Sequence, residues 1–204
     1  MLFDDTYRTI KTPSEGLFKD KGSKFLAFAY PISSETDIKS LVAKLKAEHT
    51  KANHHCWAMR LTPDRSVFKL NDDGEPSGTA GRPILNTLLS RDLTNVVVVV
   101  VRYFGGTLLG VPGLINAYKQ ATDDALNQAT VIEKTVNDIY TINFNYLQMN
   151  DIMRLVKDEN ITIMHQQFDN DCTLHVSIRK MQVSTVLAKL DKIEAVVVKY
   201  EYSA

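Results

Sequence analysis

The sequence predicts an α+β protein built from two modules, and three observations support this class. Strand patterns are concentrated at the start of the chain, helical patterns separate the later strands, and a second rhythm of strands and helices begins after a polar stretch at 134–138. We therefore expect an N-terminal domain over residues 1–134 and a C-terminal domain over residues 138–204. The length of 204 residues is compatible with two small domains.

The N-terminal module begins with three short strand patterns, at 6–10, 16–19 and 24–30, separated by turn-forming residues. An amphipathic helix follows Pro31, because apolar residues recur there at the spacing of one helix face. That face consists of Ile38, Leu41, Val42 and Leu45.

The middle of this module predicts a hairpin, two helices and a buried strand. Residues 54–61 and 66–70 form the predicted hairpin, and Pro83 marks the first position of a helix. Six consecutive valines at 96–101 indicate a strand covered on both faces, since no polar residue alternates with them. A further helix spans about 112–127. We expect the helices to lie on one face of a mixed sheet.

The C-terminal module has the predicted order βαββαβ, which is the ferredoxin-like unit. A tight turn at 169–171 uses residues that tolerate left-handed backbone. The module contains no glycine and few reactive groups, so we expect a scaffold or docking surface. Its predicted strands are 139–146, 161–168, 172–178 and 195–202, and its helices are 148–159 and 182–191.

Composition limits the function classes. The net charge is zero and the pI is about 7.0, so any RNA contact must come from a local patch. No apolar run approaches the roughly 20 residues that span a bilayer, and the N-terminus lacks the pattern of a signal peptide, so we expect a cytoplasmic protein without membrane contact. Cys56 and Cys172 fall in different predicted domains, which favours reduced thiols.

The loop at 72–81 is acidic and rich in glycine, and it has almost nothing apolar to bury. It is either a ligand or partner surface, with backbone N–H groups near the helix after Arg82 available to an anion, or a loop held by its own carboxylates and hydroxyls. Its candidate residues are Asp72, Asp73, Gly74, Glu75, Pro76, Ser77, Gly78, Thr79, Gly81 and Arg82.

The valine strand ends in a second candidate group, where rigid scaffolds usually present functional side chains. A buried arginine needs an acidic partner or an anionic ligand, so Arg102 predicts either an internal clamp with a carboxylate of the loop or a phosphate or carboxylate site. The glycines that follow lack the lysine of a P-loop and the spacing of a dinucleotide site. The group consists of Arg102, Tyr103, Phe104, Gly105 and Gly106.

The imidazole cluster at 54–56 has three interpretations. His54 and Cys56 share one face of a strand and could bind a metal with Asp72 or Asp73, or Cys56 could be a nucleophile with His54 as its base. The favoured interpretation is that His54 hydrogen-bonds into the acidic loop and positions it. We expect no metal and no cofactor.

Three lysines flank the early turn, and aromatic residues are interleaved with them. Basic and aromatic side chains at a loop tip suit phosphate contact and base stacking, although an ordinary charged loop has the same composition. The residues are Lys19, Lys21 and Lys24, with Phe18 and Phe25.

These motifs together resemble the IMPACT family, in its bacterial YigZ-like form. The resemblance is carried by DDGEPSGTAGRPIL from Asp72, VVVVVVRYFGGTLLGVPGLINAY from Val96, GSKF at 22–25 and NHHCWAMR at 53–60. It implies a ribosomal-protein-S5 domain-2-like fold for the first module, followed by the ferredoxin-like module. The pair is also similar to the last two domains of elongation factor G.

The resemblance implies a translation-associated binding protein that contacts RNA or the ribosome and regulates translation, with a protein partner as a further candidate. The contacting face would carry Lys24, His54, Arg82 and Arg102. The alternative is a hydrolase-type enzyme that uses the acidic loop with His54 and Arg102. Fold analogy does not establish activity, and no recognised nucleophile or metal motif is present, so binding is favoured.

Overall fold

The computed structural model describes residues 5–169 and 171–203. These residues form two compact units, one over 7–134 and one over 135–203 together with Asp5 and Thr6. Asp5 was expected in the N-terminal domain, but Arg179 donates two hydrogen bonds to its carboxylate. That a boundary at 134–138 separates two independently folding domains stays a prediction.

The N-terminal unit combines helices with a five-stranded sheet and a two-stranded sheet, which confirms the α+β class. The larger sheet has the strand order β2-β3-β6-β4-β5, and β1 pairs with β7, a strand that was not predicted. The elements are β1 (Thr6–Ile10), β2 (Ser14–Asp20), β3 (Ser23–Pro31), α1 (Thr36–Glu48), β4 (His54–Leu61), β5 (Val67–Asn71), α2 (Gly81–Ser90), β6 (Val96–Tyr103), α3 (Gly110–Gln128) and β7 (Val131–Thr135).

The valine strand β6 lies at the centre of the larger sheet and is buried on both faces, as predicted. Val96, Val98 and Val100 pack in the cluster that includes α2 and α3, and the intervening valines pack in the cluster that includes α1. The expectation of helices on one face of a mixed sheet was wrong. All four strand pairings are antiparallel, and helices cover both faces because a valine run without polar alternation needs apolar cover on both sides.

Helix α2 begins two residues earlier than the sequence indicated. Gly81 is its first residue, so Pro83 is the third. The carboxylate of Asp72 accepts hydrogen bonds from the N–H groups of Ala80 and Gly81, which fixes the first turn before the proline is reached. Proline is tolerated there because the N–H groups of the first helical turn have no partner within the helix, so the lack of an N–H costs no hydrogen bond.

The C-terminal unit has the ferredoxin-like order, with the antiparallel sheet β11-β8-β10-β9. One sheet face packs on both helices through residues such as Ile142, Ile152, Leu174 and Val186. The predicted turn at 169–171 includes residue 170, which lies outside the described residues. The elements are β8 (Asn137–Asn145), α4 (Met149–Asp158), β9 (Thr162–Phe168), β10 (Asp171–Arg179), α5 (Val183–Leu190) and β11 (Val196–Ser203).

Among the helices of the described residues, none is both long enough and apolar enough to cross a membrane.

Candidate functional site

Three adjacent strands bring Phe25, Arg102 and His54 side by side. In the register of the sheet, Arg102 of β6 lies opposite Phe25 of β3 on one side and His54 of β4 on the other. Directly opposed residues project from the same face of a sheet. The guanidinium carbon of Arg102 lies 5.4 Å from the ring centre of Phe25 and 5.7 Å from that of Phe104. Both rings are therefore within cation–π distance of the guanidinium.

The charge of Arg102 is met by Glu75. Nη1 of Arg102 donates to Oε1 of Glu75 at 2.5 Å, and the hydroxyl of Tyr118 donates to the same oxygen at 2.7 Å. Arg102 is 5% exposed and Glu75 is 9% exposed. Of the three carboxylates considered from the sequence, Glu75 is thus the partner, and it connects the acidic loop to both β6 and α3.

The carboxylate of Asp72 organises the loop from within. It accepts backbone N–H groups from Gly78 at 2.9 Å, from Ala80 at 3.1 Å and from Gly81 at 2.8 Å. The N–H groups of Ala80 and Gly81 are therefore not available to an anion, because the chain supplies its own carboxylate there. The hydroxyl of Thr79 also donates to the carbonyl of Pro76 at 2.7 Å.

Asp73 fixes the loop against β4. The backbone has φ 42° at Asp73 and 89° at Gly74, so the chain reverses at this point. The carboxylate of Asp73 accepts the N–H of His55 at 2.6 Å and the ammonium of Lys46 at 3.1 Å. The carbonyl of Asp73 lies 2.8 Å from Nδ1 of His54. Because a carbonyl only accepts, Nδ1 carries the proton.

This contact defines what His54 offers to a ligand. With the proton on Nδ1, the neutral ring presents Nε2 as an acceptor. Nε2 lies 3.9 Å from Oε1 of Glu75, so a proton taken up on Nε2 would face that carboxylate. His55 projects from the other face, and desolvation by burial lowers its pKa.

Cys56 is a buried structural thiol. Its Sγ lies 2.9 Å from the carbonyl of Asp72 and 3.3 Å from the hydroxyl of Tyr118. Burial raises the pKa of the Cys56 thiol far above its usual range, which disfavours the thiolate that a nucleophile requires. Within residues 5–169 and 171–203, no group of three or more His, Cys, Asp or Glu side chains is placed to hold a metal ion.

Gly105, the first of the two glycines after β6, allows a close approach of two backbone segments. A Cβ on Gly105 would lie 1.9 Å from the carbonyl carbon of Gly22, and the N–H of Gly105 donates to the hydroxyl of Ser23 at 3.2 Å. The turn between β2 and β3 therefore packs directly on the turn after β6. Two motifs that are 80 residues apart in the sequence, GSKF and FGG, are neighbours in the structure.

This packing places the turn that contains Lys21 beside the turn after β6. Lys24 lies opposite Lys19 in the pairing of β2 with β3, and opposite Tyr103 in the pairing of β3 with β6, so these residues project from the face opposite to that of Arg102. Lys21 occupies the turn with φ 43°. All three lysines are exposed, so their ammonium groups are accessible at this edge.

A cavity of about 470 Å³ opens beside the Arg102–Glu75 pair. His54, Glu75 and Arg102 contribute its charged and titratable groups. Its remaining wall is largely apolar, and three of its large apolar side chains are exposed: Phe104 at 45%, Leu108 at 84% and Val111 at 52%. The cavity is completed by Asn53, Pro76, Leu109, Gly110 and Leu114.

Some candidate residues lie away from this cavity. Arg82 lines a second cavity of about 390 Å³ between α2 and α3, where Lys119 is also found. Tyr103 projects from the opposite face, and its hydroxyl lies 2.9 Å from Nδ1 of His49. Ser77 and Gly106 are exposed.

Sequence reasoning missed the apolar wall and the role of Tyr118. Leu108 and Val111 carry no reactive group, so a search for chemistry passes over them. The sequence feature that could have indicated them is a pair of apolar residues placed among glycines at the start of a helix. Tyr118 is a buried residue of α3, and its hydroxyl also holds Glu75.

Comparisons with known proteins agree with the resemblance noted in the sequence. Residues 21–126 match the model of the Impact N-terminal domain. The chain is 34% identical to IMPACT family member YigZ of Escherichia coli (strain K12) over 172 residues, which covers 83% of this chain and 84% of that protein. It is 30% identical to IMPACT family member YvyE of Bacillus subtilis (strain 168) over 179 residues, which covers 88% and 82%.

A solved structure is also similar over most of the chain. A crystal structure described as that of a hypothetical protein aligns with a TM-score of 0.72 at 30% identity, covering 95% of this chain and 96% of that one.

Proposed function

This chain belongs to the IMPACT family, and we propose on that basis that it acts in translation as a protein that binds RNA, free or in the ribosome. The proposed contact surface is the cavity face, which we define as Lys21, His54, Phe104 and the cavity wall beside them; Lys24 flanks it at the edge of the sheet, on the other face. Family membership supports the link to translation, and the geometry of the cavity face supports the RNA contact.

One observation carries the RNA contact. Phe104 is 45% exposed and directly precedes Gly105, which packs on the turn that contains Lys21. An exposed aromatic ring beside flexible cations suits single-stranded RNA, since bases stack on aromatic rings while ammonium groups contact the phosphates.

The neutral net charge limits the strength of this contact. A chain with zero net charge lacks the wide basic surface that neutralises many phosphates. A few lysines at one edge predict modest affinity with a shallow dependence on salt. Such a patch is better suited to a site that also offers shape or protein contacts, as the ribosome does.

The hydrolase alternative is less well supported, because the carboxylates it needs are already engaged. Asp72 accepts three backbone N–H groups, Asp73 holds His55 and Lys46, and Glu75 is paired with Arg102. Among the groups that line the cavity, the approach of His54 Nε2 to Glu75 at 3.9 Å resembles an acid–base pair.

Sedimentation with ribosomes at low salt tests the proposal. We expect the chain to co-sediment, Phe104→Ala to weaken binding about tenfold through lost stacking, and Lys21→Ala to weaken it while lowering the salt slope by about 1. Lys39→Ala is the matched control, because this exposed lysine lies on α1, against the opposite face of the sheet.

The proposal is contradicted if the native chain binds neither ribosomes nor RNA, or if Phe104→Ala and Lys21→Ala bind as the native chain does. Treatment with ribonuclease separates the two kinds of partner. Binding that survives removal of RNA would indicate a protein partner in translation control and would overturn the RNA contact.

A further inference from the structure

We propose that the cavity beside Arg102 accommodates a single unpaired nucleobase, stacked on Phe104 with its polar edge towards Arg102 and Glu75. This inference rests on the proposed function and specifies which part of an RNA the cavity face would recognise. The base could belong to an RNA strand or to a free nucleotide, and the experiments below distinguish the two sources.

The wall of the cavity fits the flat faces of a base. Phe104 presents the exposed part of its ring, while the guanidinium of Arg102 lies within cation–π distance of that ring. Leu108, Val111 and Pro76 add apolar surface around it. A planar heterocycle would cover this apolar surface, which is otherwise in contact with water.

The polar groups of the cavity fit the edge of a base. In the described part of the chain, Nε of Arg102 is buried without a hydrogen-bond partner, and Glu75 receives hydrogen bonds on Oε1 alone. His54 adds an acceptor at Nε2. Donor and acceptor groups are therefore adjacent, and nucleobases carry donors and acceptors side by side on their edges. A purely apolar ligand would leave these groups unpaired at a cost in binding free energy.

The same groups argue against a phosphate inside the cavity. The positive charge of Arg102 is already compensated by Glu75 at 2.5 Å, so a phosphate would meet a carboxylate as well as a guanidinium. Lys21, for which no ion pair is found among the described residues, lies outside the cavity, in the turn that packs on Gly105. This division of charge favours a base within the cavity and its phosphate near Lys21.

Titration with nucleotides tests the inference directly. The probes are the four nucleoside 5′-monophosphates and ribose 5-phosphate, which has the same phosphate and sugar without a base. We expect at least one nucleotide to shift the NMR signals of Phe104, Leu108 and Val111, and ribose 5-phosphate to leave these signals unchanged. The inference fails if no nucleotide shifts them, or if ribose 5-phosphate shifts them equally.

A pair of variants on α3 provides a second test. Val111→Trp places a large ring in the cavity wall, and we expect nucleotide affinity to fall about tenfold or more as stacking is blocked. Ile115→Trp is the matched control, because Ile115 is 40% exposed one turn later and lines the other cavity. Equal affinities for the two variants, with both folded by circular dichroism, would overturn the inference.

Short oligouridylate and oligoadenylate separate this inference from the proposed function. An oligonucleotide that binds and shifts the cavity signals supports both. One that binds through the lysines without shifting Phe104, Leu108 or Val111 overturns the base site and leaves RNA binding intact. Nucleotides that bind while neither oligonucleotide does so would support the base site and contradict the RNA contact.

Discussion

The buried pair of Arg102 and Glu75 provides the sharpest stability prediction. We expect Arg102→Met to lower the free energy of unfolding by about 3 kcal/mol. Removing one partner of a buried ion pair costs about 3–5 kcal/mol, because the other charge remains buried and uncompensated. Both residues are nearly inaccessible, at 5% and 9% exposure, so water in the adjoining cavity replaces the lost partner only in part. The lower end of this energy range applies because the hydroxyl of Tyr118 still donates a hydrogen bond to Glu75.

A double variant isolates the contribution of the charge. In the double variant Arg102→Met with Glu75→Gln, neither charge of the pair remains, and the amide oxygen of the glutamine can still accept a hydrogen bond from Tyr118. We therefore expect the double variant to lose only about 1 kcal/mol, which is the scale of a single hydrogen bond. The double variant should thus be more stable than Arg102→Met alone.

Urea denaturation followed by fluorescence measures both effects. The single tryptophan of the sequence, Trp57, lies in β4 and reports on the N-terminal unit. With a denaturant slope of about 2 kcal/mol per M, a loss of 3 kcal/mol lowers the midpoint by about 1.5 M. Arg82→Met is the control, with an expected change within about 0.5 kcal/mol for an exposed arginine. An Arg102→Met midpoint equal to that of Arg82→Met would refute the reasoning, as would a double variant less stable than the single one.

Three further predictions follow from the contacts. Asp72→Asn should lower the free energy of unfolding by about 1–3 kcal/mol, because one amide oxygen cannot replace two carboxylate oxygens. Hydrogen exchange of the loop amides should then be faster than in the native chain, and unchanged exchange would contradict the prediction. In thermal melts we expect Gly105→Ala to lower the melting temperature more than Gly106→Ala. A Cβ at Gly105 would meet backbone at 1.9 Å, whereas a Cβ at Gly106 would meet open space, so that only the φ of 86° would be strained. The reverse order would show that the two turns do not pack closely. The hydrogen bond from Arg179 holds the pKa of Asp5 below its usual range. The ionised carboxylate of Asp5 therefore stabilises the folded state above the unfolded pKa of about 3.9, and this stabilisation is lost as the pH falls through the folded pKa. Near-ultraviolet circular dichroism on acid titration should show this loss in the native chain and a smaller one in Asp5→Asn, and identical titrations would argue against it.

The parts of the fold that follow from local patterns were predicted from the sequence. The valine run has one interpretation, because a strand without polar residues must be covered on both faces. The ferredoxin-like unit followed from its periodicities, with Ile152 and Val186 buried as the helical spacing requires. These features depend on residues close together in the chain.

The parts that depend on distant contacts were not accessible in this way. Strand β7 exists because it pairs with β1, more than 120 residues earlier, and its own sequence has no strong strand pattern. The start of α2 is shifted by the carboxylate of Asp72. The second cover of the sheet by α1 also depends on how the chain crosses the sheet.

The candidate site shows the same division. The chemistry of Arg102 required an anion, and sequence reasoning named Glu75 among three carboxylates without choosing between them. The choice is made by the turn at Asp73 and Gly74, which aims Asp72 at the backbone and Glu75 at β6. The cavity itself depends on where α3 begins relative to the end of β6. The types of the side chains alone do not determine the distance between these two elements.

The most direct test of the central claim is photochemical crosslinking of the native chain to ribosomal RNA, followed by mass spectrometry of the crosslinked peptides. If the cavity face contacts RNA, crosslinks should be concentrated in the peptides that contain Lys21, Lys24 and Phe104, and they should be lost in Phe104→Ala. Crosslinks confined to the C-terminal unit, or to α1 on the opposite face of the sheet, would contradict the account.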